Sequence, residues 1–350
     1  MIITNAKIFN GKKFIKANTV EIENGIIKKI YYSKKFKKGI NINNSILCPG
    51  FIDIHTHSST IDILDIKNKK DLIRFKNDFL KNGTTCFVLT TFYKKNNKKL
   101  KNIINNLSKM KSGAQYLGIY FEGPFINKEK KGAIPDEFVN NQIDIMNIIK
   151  EYKNIKIMTL APEISNAKDI IKKMKLYNII PSFGHSDADY FIANKSVKYG
   201  IKNVTHLFNA MHKWYEGSPP VYQAFLKNKK LFVEIIADGI HIPVKILKLI
   251  FKKFGKERII LISDKVNNRN LLLKNNKINS KFYLIDMVRN MKKLCHISIE
   301  SVLQLATYNP SKLLNLYKTG MIKKGFYANC LVLNNKLYIE KTIFNGKIYL

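Results

Sequence analysis

The stretch PGFIDIHTH, residues 49–57, decides the fold of this chain. Its apolar part, FIDI at 51–54, is typical of a short buried strand, and the stretch ends in His55 and His57. Side chains two residues apart on a strand point the same way, so both imidazoles would project together from the strand's carboxyl end. Two converging imidazoles suit a divalent metal such as zinc. Taken alone, the pattern leaves two interpretations open: a metal site, or two histidines on a loop without a metal.

Seven more apolar runs follow, and five of them end in residues that bind metals or transfer protons. The runs cover residues 84–90, 117–121, 155–160, 179–184, 200–205, 231–236 and 259–263. The residues that follow five of these runs are Glu122, His185, His206, Asp238 with His241, and Asp264. One such residue at a strand end is often only a helix cap, but capping does not explain the same placement on six strands.

Helical stretches separate several of these runs, for example at 69–81 and 142–152. Eight β/α units in about 270 residues predict a (β/α)8 TIM-type barrel, in which the active site lies at the carboxyl ends of the strands. The histidines and carboxylates fall at that end. The pattern therefore favours a metal-dependent enzyme of the α/β class.

The two ends of the chain differ from its middle. Residues 1–48 alternate apolar and polar side chains, with hairpin turn signals at Asn10-Gly11 and Asn24-Gly25, and the segment from 325 to 350 is similar. We expect a small β-sandwich built from 1–48 and 325–350, flanking a hydrolase barrel at 49–324. Residues 298–316 predict a helix that is broken and restarted at Asn309-Pro310.

Composition limits the classes of function. With 350 residues and 45% hydrophobic side chains, the chain can bury a large core. It shows no apolar run of about 18 residues, so no transmembrane helix is predicted, and its start lacks the apolar segment of a signal peptide. The four cysteines are far apart and predict buried free thiols in a cytoplasmic protein rather than disulfides or zinc ligands.

The formal net charge of +36 invites a nucleic-acid partner, but the basic residues argue against one. Among 61 lysines and arginines only four are arginine, the residue whose planar fork pairs with phosphate and guanine. The lysines are also dispersed, as expected from compositional drift in an A+T-rich genome. We therefore predict no specific nucleic-acid binding, only weak attraction of anionic substrates.

Further motifs identify the chain with a family. Together with PGFIDIHTH they resemble the amidohydrolase superfamily and, within it, the N-acetylglucosamine-6-phosphate deacetylases. The motifs are GTT at 83–85 with LTT at 89–91, GIYFEGPFIN at 118–127, GHS at 184–186, THLFNAM at 205–211, ADGIH at 237–241 and SD at 263–264. They occur in the family's order along nearly the whole chain.

The resemblance implies that metal-activated water removes the acetyl group of an N-acetylated amino sugar phosphate. It assigns one divalent ion, zinc or iron, to Glu122, His185 and His206. A second ion would bind to His55 and His57, with Glu122 bridging the two. The number of ions, one or two per chain, stays open.

The resemblance also assigns the remaining roles. Asp264 would take a proton from the attacking water and return it to the leaving amine. His241 would contact the substrate, and Asn209 and Ala210 would offer amide groups to the sugar phosphate. Plain structural roles for His241 and Asn209, the latter as a turn cap, stay open. A homodimer is implied because the family donates a phosphate-binding arginine across a subunit interface.

The chain departs from the family pattern around the substrate. Ile134 stands where the family has a substrate-contacting histidine, Gly217 stands where it has the phosphate-binding arginine, and the loop at 265–282 has little family character. Either the reaction is retained, with Lys213 or Lys265 replacing the lost contacts, or the substrate is another N-acyl compound, or the chain is a degenerate, weakly active homologue.

Overall fold

The structure is a computed structural model that describes residues 1–32, 36, 38–212, 219–267 and 281–349.

The strands at the two ends of the chain form two small sheets. The first six strands are β1 (Ile2–Thr4), β2 (Lys7–Ile8), β3 (Thr19–Glu23), β4 (Ile26–Tyr31), β5 (Ile40–Asn41) and β6 (Ile46–Pro49). Eight strands follow in the middle of the chain: β7 (Phe51–Thr56), β8 (Thr84–Thr91), β9 (Gln115–Phe121), β10 (Ile155–Leu160), β11 (Ile180–Phe183), β12 (Asn203–Val204), β13 (Phe232–Ile235) and β14 (Ile259–Leu261). The last are β15 (Cys330–Leu333), β16 (Ile339–Phe344) and β17 (Lys347–Ile348).

The middle strands form the predicted barrel. β7 to β14 pair in chain order in one parallel sheet, and every apolar run identified in the sequence supplies one strand. The two edge strands meet through side-chain and loop hydrogen bonds: Asp264 N–H donates to the carbonyl of His55 (2.9 Å), and Ser263 N–H donates to the carboxylate of Asp53 (3.4 Å). The barrel is therefore nearly closed at its carboxyl end, where the candidate site lies.

The β-sandwich built from both chain ends is also confirmed. One sheet has the order β4-β3-β1-β5 and the other the order β17-β16-β15-β6-β2. The two share a core that includes Ile3 and Val20 from the first sheet and Leu47 and Ile343 from the second. Asn24 and Gly25, both at positive φ (+50° and +75°), form the tight hairpin turn between β3 and β4. The boundaries at 48 and 325 stay a prediction.

Helices cover the outside of the barrel. They are α1 (Lys69–Lys81), α2 (Lys98–Lys109), α3 (Ile145–Glu151), α4 (Ala167–Leu176), α5 (Tyr190–Tyr199), α6 (Gln223–Leu226), α7 (Val244–Phe254), α8 (Leu284–Cys295), α9 (Ile299–Ala306) and α10 (Tyr308–Leu313). Short 3-10 helices lie at Ile63–Asp65, Lys128–Lys130 and Asp136–Phe138. In the described part of the chain, none of the helices has the length and apolar character needed to cross a bilayer.

The break in the helical segment 298–316 differs from the sequence prediction. The helix at 298–316 breaks at Thr307 (φ −126°, ψ −75°) and not at Asn309-Pro310. Pro310 lies in the first turn of α10, where a backbone N–H has no partner within the helix, so its missing donor costs nothing there. Proline therefore marks the start of the second helix and not the break itself.

Candidate metal centre

The predicted ligands come together at the carboxyl end of the barrel. His55 lies in β7 and His57 directly after it, while Glu122 follows β9, His185 follows β11 by two residues and His206 follows β12 by two residues. Together with Asp264, these residues form three overlapping groups. Within each group, the ligand atoms lie within 4.8 Å of one another. The groups are Glu122, His185 and His206; His55, His57 and Glu122; and His55, His206 and Asp264.

The first group is the tightest. Glu122 Oε1 lies 2.8 Å from Nε2 of His185 and 2.8 Å from Nε2 of His206, and the two ring nitrogens are 3.1 Å apart. His185 Nδ1–H donates to the carbonyl of Lys130 (2.9 Å), which leaves the lone pair on Nε2, facing the carboxylate. Three acceptor atoms that converge in this way suit a divalent ion.

The second group lies on the other side of Glu122. His57 Nε2 is 3.4 Å from Glu122 Oε2 and 3.4 Å from Asp264 Oδ1. His55 Nε2 is buried, lies 3.4 Å from Asp264 Oδ1, and has no hydrogen-bond partner in the described part of the chain. A buried ring nitrogen without a hydrogen-bond partner fits a metal ligand. Glu122 faces both groups: its Oε1 contacts the histidines of the first group and lies 3.7 Å from His55 Nε2, while its Oε2 faces His57.

Both carboxylates are ionised at neutral pH. Burial opposes the charge on Glu122, but His185 and its other histidine neighbours outweigh burial and hold the pKa of Glu122 well below its usual value. Burial likewise opposes the charge on Asp264, yet His55 and His57 lower the pKa of Asp264. Glu122 is therefore available as an anionic ligand, and Asp264 can accept a proton.

Of the predicted substrate residues, Asn209 and Ala210 closely follow His206 in the chain, and His241 lies between β13 and α7. His241 Nδ1–H donates to Asp238 (2.6 Å), which also accepts the backbone N–H groups of Ile240 and His241 (both 2.9 Å). Burial opposes the charge on Asp238, but His241 and these N–H groups lower its pKa. The side-chain amide of Asn209 donates to the carbonyl of His206 (3.2 Å), which is the turn-capping contact left open above. Ala210 accepts the backbone N–H of Ser186 (3.1 Å) and has a φ of +48°.

Only some of the residues that depart from the family pattern lie in the described part of the chain. Ile134 is buried, 3% exposed, and belongs to neither hydrophobic core. Lys265 does not support the hypothesis of a replacement phosphate contact, because its buried ammonium donates to the carbonyl of Lys281 (2.7 Å) and lies 4.4 Å from the centre of the Tyr283 ring. Gly217 and Lys213 lie outside the described residues, as does most of the loop at 265–282.

Sequence reasoning missed one residue of the site. Glu234 lies in β13 and its carboxylate contacts His55 Nδ1 at 2.9 Å. The available signal was a lone acidic residue inside the apolar run at 231–236, where a charge is costly unless it is paired.

Comparison with known proteins agrees with this fold. The model of the amidohydrolase family matches residues 46–349. N-acetylglucosamine-6-phosphate deacetylase of Lysinibacillus sphaericus is 28% identical over 335 residues, with 87% of this chain and 86% of that protein covered. The Bacillus subtilis enzyme of the same name is 27% identical, with 99% and 96% covered.

Solved structures show the same architecture. The crystal structure of N-acetylglucosamine-6-phosphate deacetylase from Thermotoga maritima matches with a TM-score of 0.86 at 25% identity, with 100% of this chain and 99% of that chain covered. The Pasteurella multocida structure of the same name matches with a TM-score of 0.89 at 23% identity over 99% of this chain and 98% of that chain. At such an identity the second match supports the fold alone.

Proposed function

We propose that this chain, which belongs to the amidohydrolase family, removes the acetyl group of N-acetylglucosamine 6-phosphate to give glucosamine 6-phosphate and acetate. The observation that carries the proposal is the convergence of Glu122, His185 and His206 beside Asp264 at the carboxyl end of the barrel. The names of the relatives supply the substrate.

The donor set fits a divalent ion, zinc or iron. Glu122, His185 and His206 would hold one ion, and His55 and His57 would hold a second that shares Glu122. When bound, such an ion lowers the pKa of water and polarises a carbonyl oxygen.

Asp264 performs the proton transfers in this proposal. Its ionised carboxylate takes the proton of the attacking water and returns it to the amine as the amide C–N bond breaks. His241, oriented by Asp238, would contact the acetamide or the sugar, while Asn209 and Ala210 would bind the sugar phosphate through amide groups. The chain itself therefore supplies proton transfer and orientation.

Acetate release tests the proposal. The purified chain is assayed with zinc, iron, manganese or cobalt on phosphorylated and unphosphorylated N-acetylglucosamine, and its metal content is measured. We expect bound metal and faster hydrolysis of the phosphorylated sugar. A chain that binds no metal and stays inert with all four ions would contradict the proposal.

A second candidate is an amidohydrolase with another N-acyl substrate, or a weakly active homologue. Two observations favour it: Ile134 places a buried aliphatic side chain where the family has an imidazole, and the ammonium of Lys265 already donates to the carbonyl of Lys281. It predicts bound metal without turnover of N-acetylglucosamine 6-phosphate, and either hydrolysis of a different N-acyl compound or none.

We also propose that the chain forms a homodimer, on the family resemblance alone. Light scattering during size-exclusion chromatography should give a mass near twice the 40.5 kDa of one chain. A single species at the monomer mass would contradict the dimer without affecting the proposed reaction.

A further inference from the structure

Glu234 is a fully buried carboxylate that belongs to no proposed ligand group, yet it contacts two of them. It is 0% exposed in β13. Its Oε2 accepts the Nδ1–H of His55 (2.9 Å) and the backbone N–H of His206 (3.2 Å). Its Oε1 accepts the side-chain amide of Asn203 (2.6 Å). Three strands thus meet at this side chain: β13 carries Glu234, β7 carries His55, and β12 carries Asn203 and leads to His206 two residues later.

These contacts determine which tautomer a neutral His55 ring adopts. A carboxylate accepts but cannot donate, so the proton of a neutral His55 ring must lie on Nδ1. The lone pair is then on Nε2, the buried atom that faces Asp264 and has no hydrogen-bond partner in the described residues. A ring with the opposite tautomer would direct an N–H at the metal position.

Glu234 also holds His206, a member of the first ligand group. The residue after His206 donates its backbone N–H to the carbonyl of Glu234 (2.9 Å), so both the side chain and the main chain of Glu234 hold the turn that carries His206. That turn is strained, with φ of +26° at His206. Removing these contacts would free the turn to relax away from Glu122.

We propose that Glu234 is a positioning residue for both metal groups: its carboxylate sets the tautomer and basicity of His55 and holds the backbone of His206. The inference rests on the proposed function, because it needs a metal site. Carboxylates that hydrogen-bond to a ligating histidine raise its basicity, and their loss typically weakens metal binding by about 10-fold to 100-fold.

The neighbourhood of Glu234 allows charge and hydrogen bonding to be separated. The Oδ1 atom of Asn203 has no partner among the described residues. In Glu234→Gln the remaining oxygen still accepts from His55 and His206, and the new amide can face Asn203 if the amide of Asn203 turns over to present Oδ1 and gives up its donation to Ser182 Oγ (3.0 Å). This variant removes the charge and keeps the hydrogen bonds to His55 and His206, whereas Glu234→Leu removes both.

Cobalt titration of the metal-free chain, followed by visible absorption, tests the proposal. We expect the dissociation constant for Co²⁺ to rise about 10-fold in Glu234→Gln and about 100-fold in Glu234→Leu. Glu151→Gln is the matched control, because Glu151 also has three hydrogen-bonding or ionic partners, namely Tyr93, Lys101 and the backbone of Asn96, but lies outside the site. It should leave cobalt affinity unchanged.

The outcomes separate this inference from the proposed function. If the unaltered chain binds no cobalt, the metal site itself is wrong. If the unaltered chain binds cobalt and neither Glu234 variant binds it more weakly than Glu151→Gln does, the positioning role is overturned. Circular dichroism checks the fold of each variant; should Glu234→Leu fail to fold, the Glu234→Gln titration decides.

Discussion

Gly184 stands directly before the proposed ligand His185, and Thr205 stands directly before the proposed ligand His206. A Cβ atom on Gly184 would lie 2.7 Å from Cβ of Thr205 and 3.0 Å from Cγ2 of Thr159. These contacts are shorter than real Cβ contacts, so an added methyl group must move one strand against another. The spacing between His185 and His206 therefore depends on the absence of a side chain at Gly184.

We expect Gly184→Ala to destabilise the chain by about 1–3 kcal/mol through overpacking and to weaken metal binding. The control is Gly255→Ala, where a Cβ meets no atom within 4 Å and only the backbone strain of its φ of +71° and ψ of 165° is added, about 1–3 kcal/mol. Thermal unfolding and cobalt titration measure both effects. Equal cobalt affinity in the two variants would show that packing at Gly184 does not set the ligand spacing.

Asp264 gives the most direct test of the chemistry at this scale. Replacing it by asparagine removes the proton acceptor but leaves Glu122, His185 and His206 in place, so we expect hydrolysis to fall by about 10²–10⁴ with metal largely retained. Asp286→Asn, which alters an aspartate paired with Arg289 outside the site, is the control for activity. Turnover unaffected by Asp264→Asn would refute the proton-transfer role.

The clustering of the proposed ligand residues could be predicted from the sequence, whereas their backbone geometry could not. His185, His206 and Asp264 all have positive φ values (+49°, +26° and +45°), in a region that such residues rarely adopt. Local sequence does not favour it; the surrounding strands and hydrogen bonds impose it. Glu234 escaped prediction for a related reason, because its contact with His55 spans 179 residues and exists only once the barrel has closed.

Four neighbouring strands are joined beneath the site by buried hydroxyl groups. Thr205 Oγ1, just after β12, lies 2.8 Å from the hydroxyl of Tyr120, 2.6 Å from that of Ser182 and 3.0 Å from that of Thr159. Tyr120, Thr159 and Ser182 belong to β9, β10 and β11. One threonine thus joins the strands that carry or precede Glu122, His185 and His206.

We expect Thr205→Val, which keeps the shape and removes the hydroxyl, to cost about 1–3 kcal/mol because it leaves buried hydroxyls with fewer partners. Thr342→Val is the control. Thr342 is equally buried, but within the described residues its hydroxyl makes a single hydrogen bond, to the carbonyl of Leu80 (3.0 Å). Thermal unfolding of both variants measures the difference. A loss at Thr205 no larger than that at Thr342 would contradict the central role of this hydroxyl.

Elements with strong local signals were predicted closely, and those set by tertiary packing were not. The helix α1 spans Lys69–Lys81 as its apolar periodicity predicts, and its Asn68 cap accepts the backbone N–H of Asp71. The run at 200–205 forms only the two-residue strand β12, because hydrogen bonds to neighbouring strands decide where a strand ends. The break at Thr307 was placed two residues late, because proline is compatible with a first helical turn.

The whole fold shields its thiols. All four cysteines are free and buried, and burial raises the pKa of Cys86 and of Cys330 to about 12. Since the thiolate is the reactive species, we expect no labelling of the native chain by a disulfide reagent at pH 8 and labelling of four thiols in guanidinium. Absorbance of the released thiol counts them. Rapid labelling of the native chain would show that its core opens under native conditions.

The net charge of +36 acts on the molecule as a whole. The lysines are spread over the surface, so in the folded chain they repel one another, and unfolding moves them apart. Repulsion reaches about 30 Å at 0.01 M salt but only about 8 Å at 0.15 M. We therefore expect the midpoint of thermal unfolding to rise as sodium chloride increases over this range, because screening weakens repulsion mainly in the folded state. Sodium phosphate at equal ionic strength is the comparison: an equal rise is expected from screening alone, and a rise larger than that in sodium chloride would indicate an anion site. A midpoint that falls with added salt would mean that attractive ion pairs, not the excess of lysine, dominate the electrostatics of the folded chain.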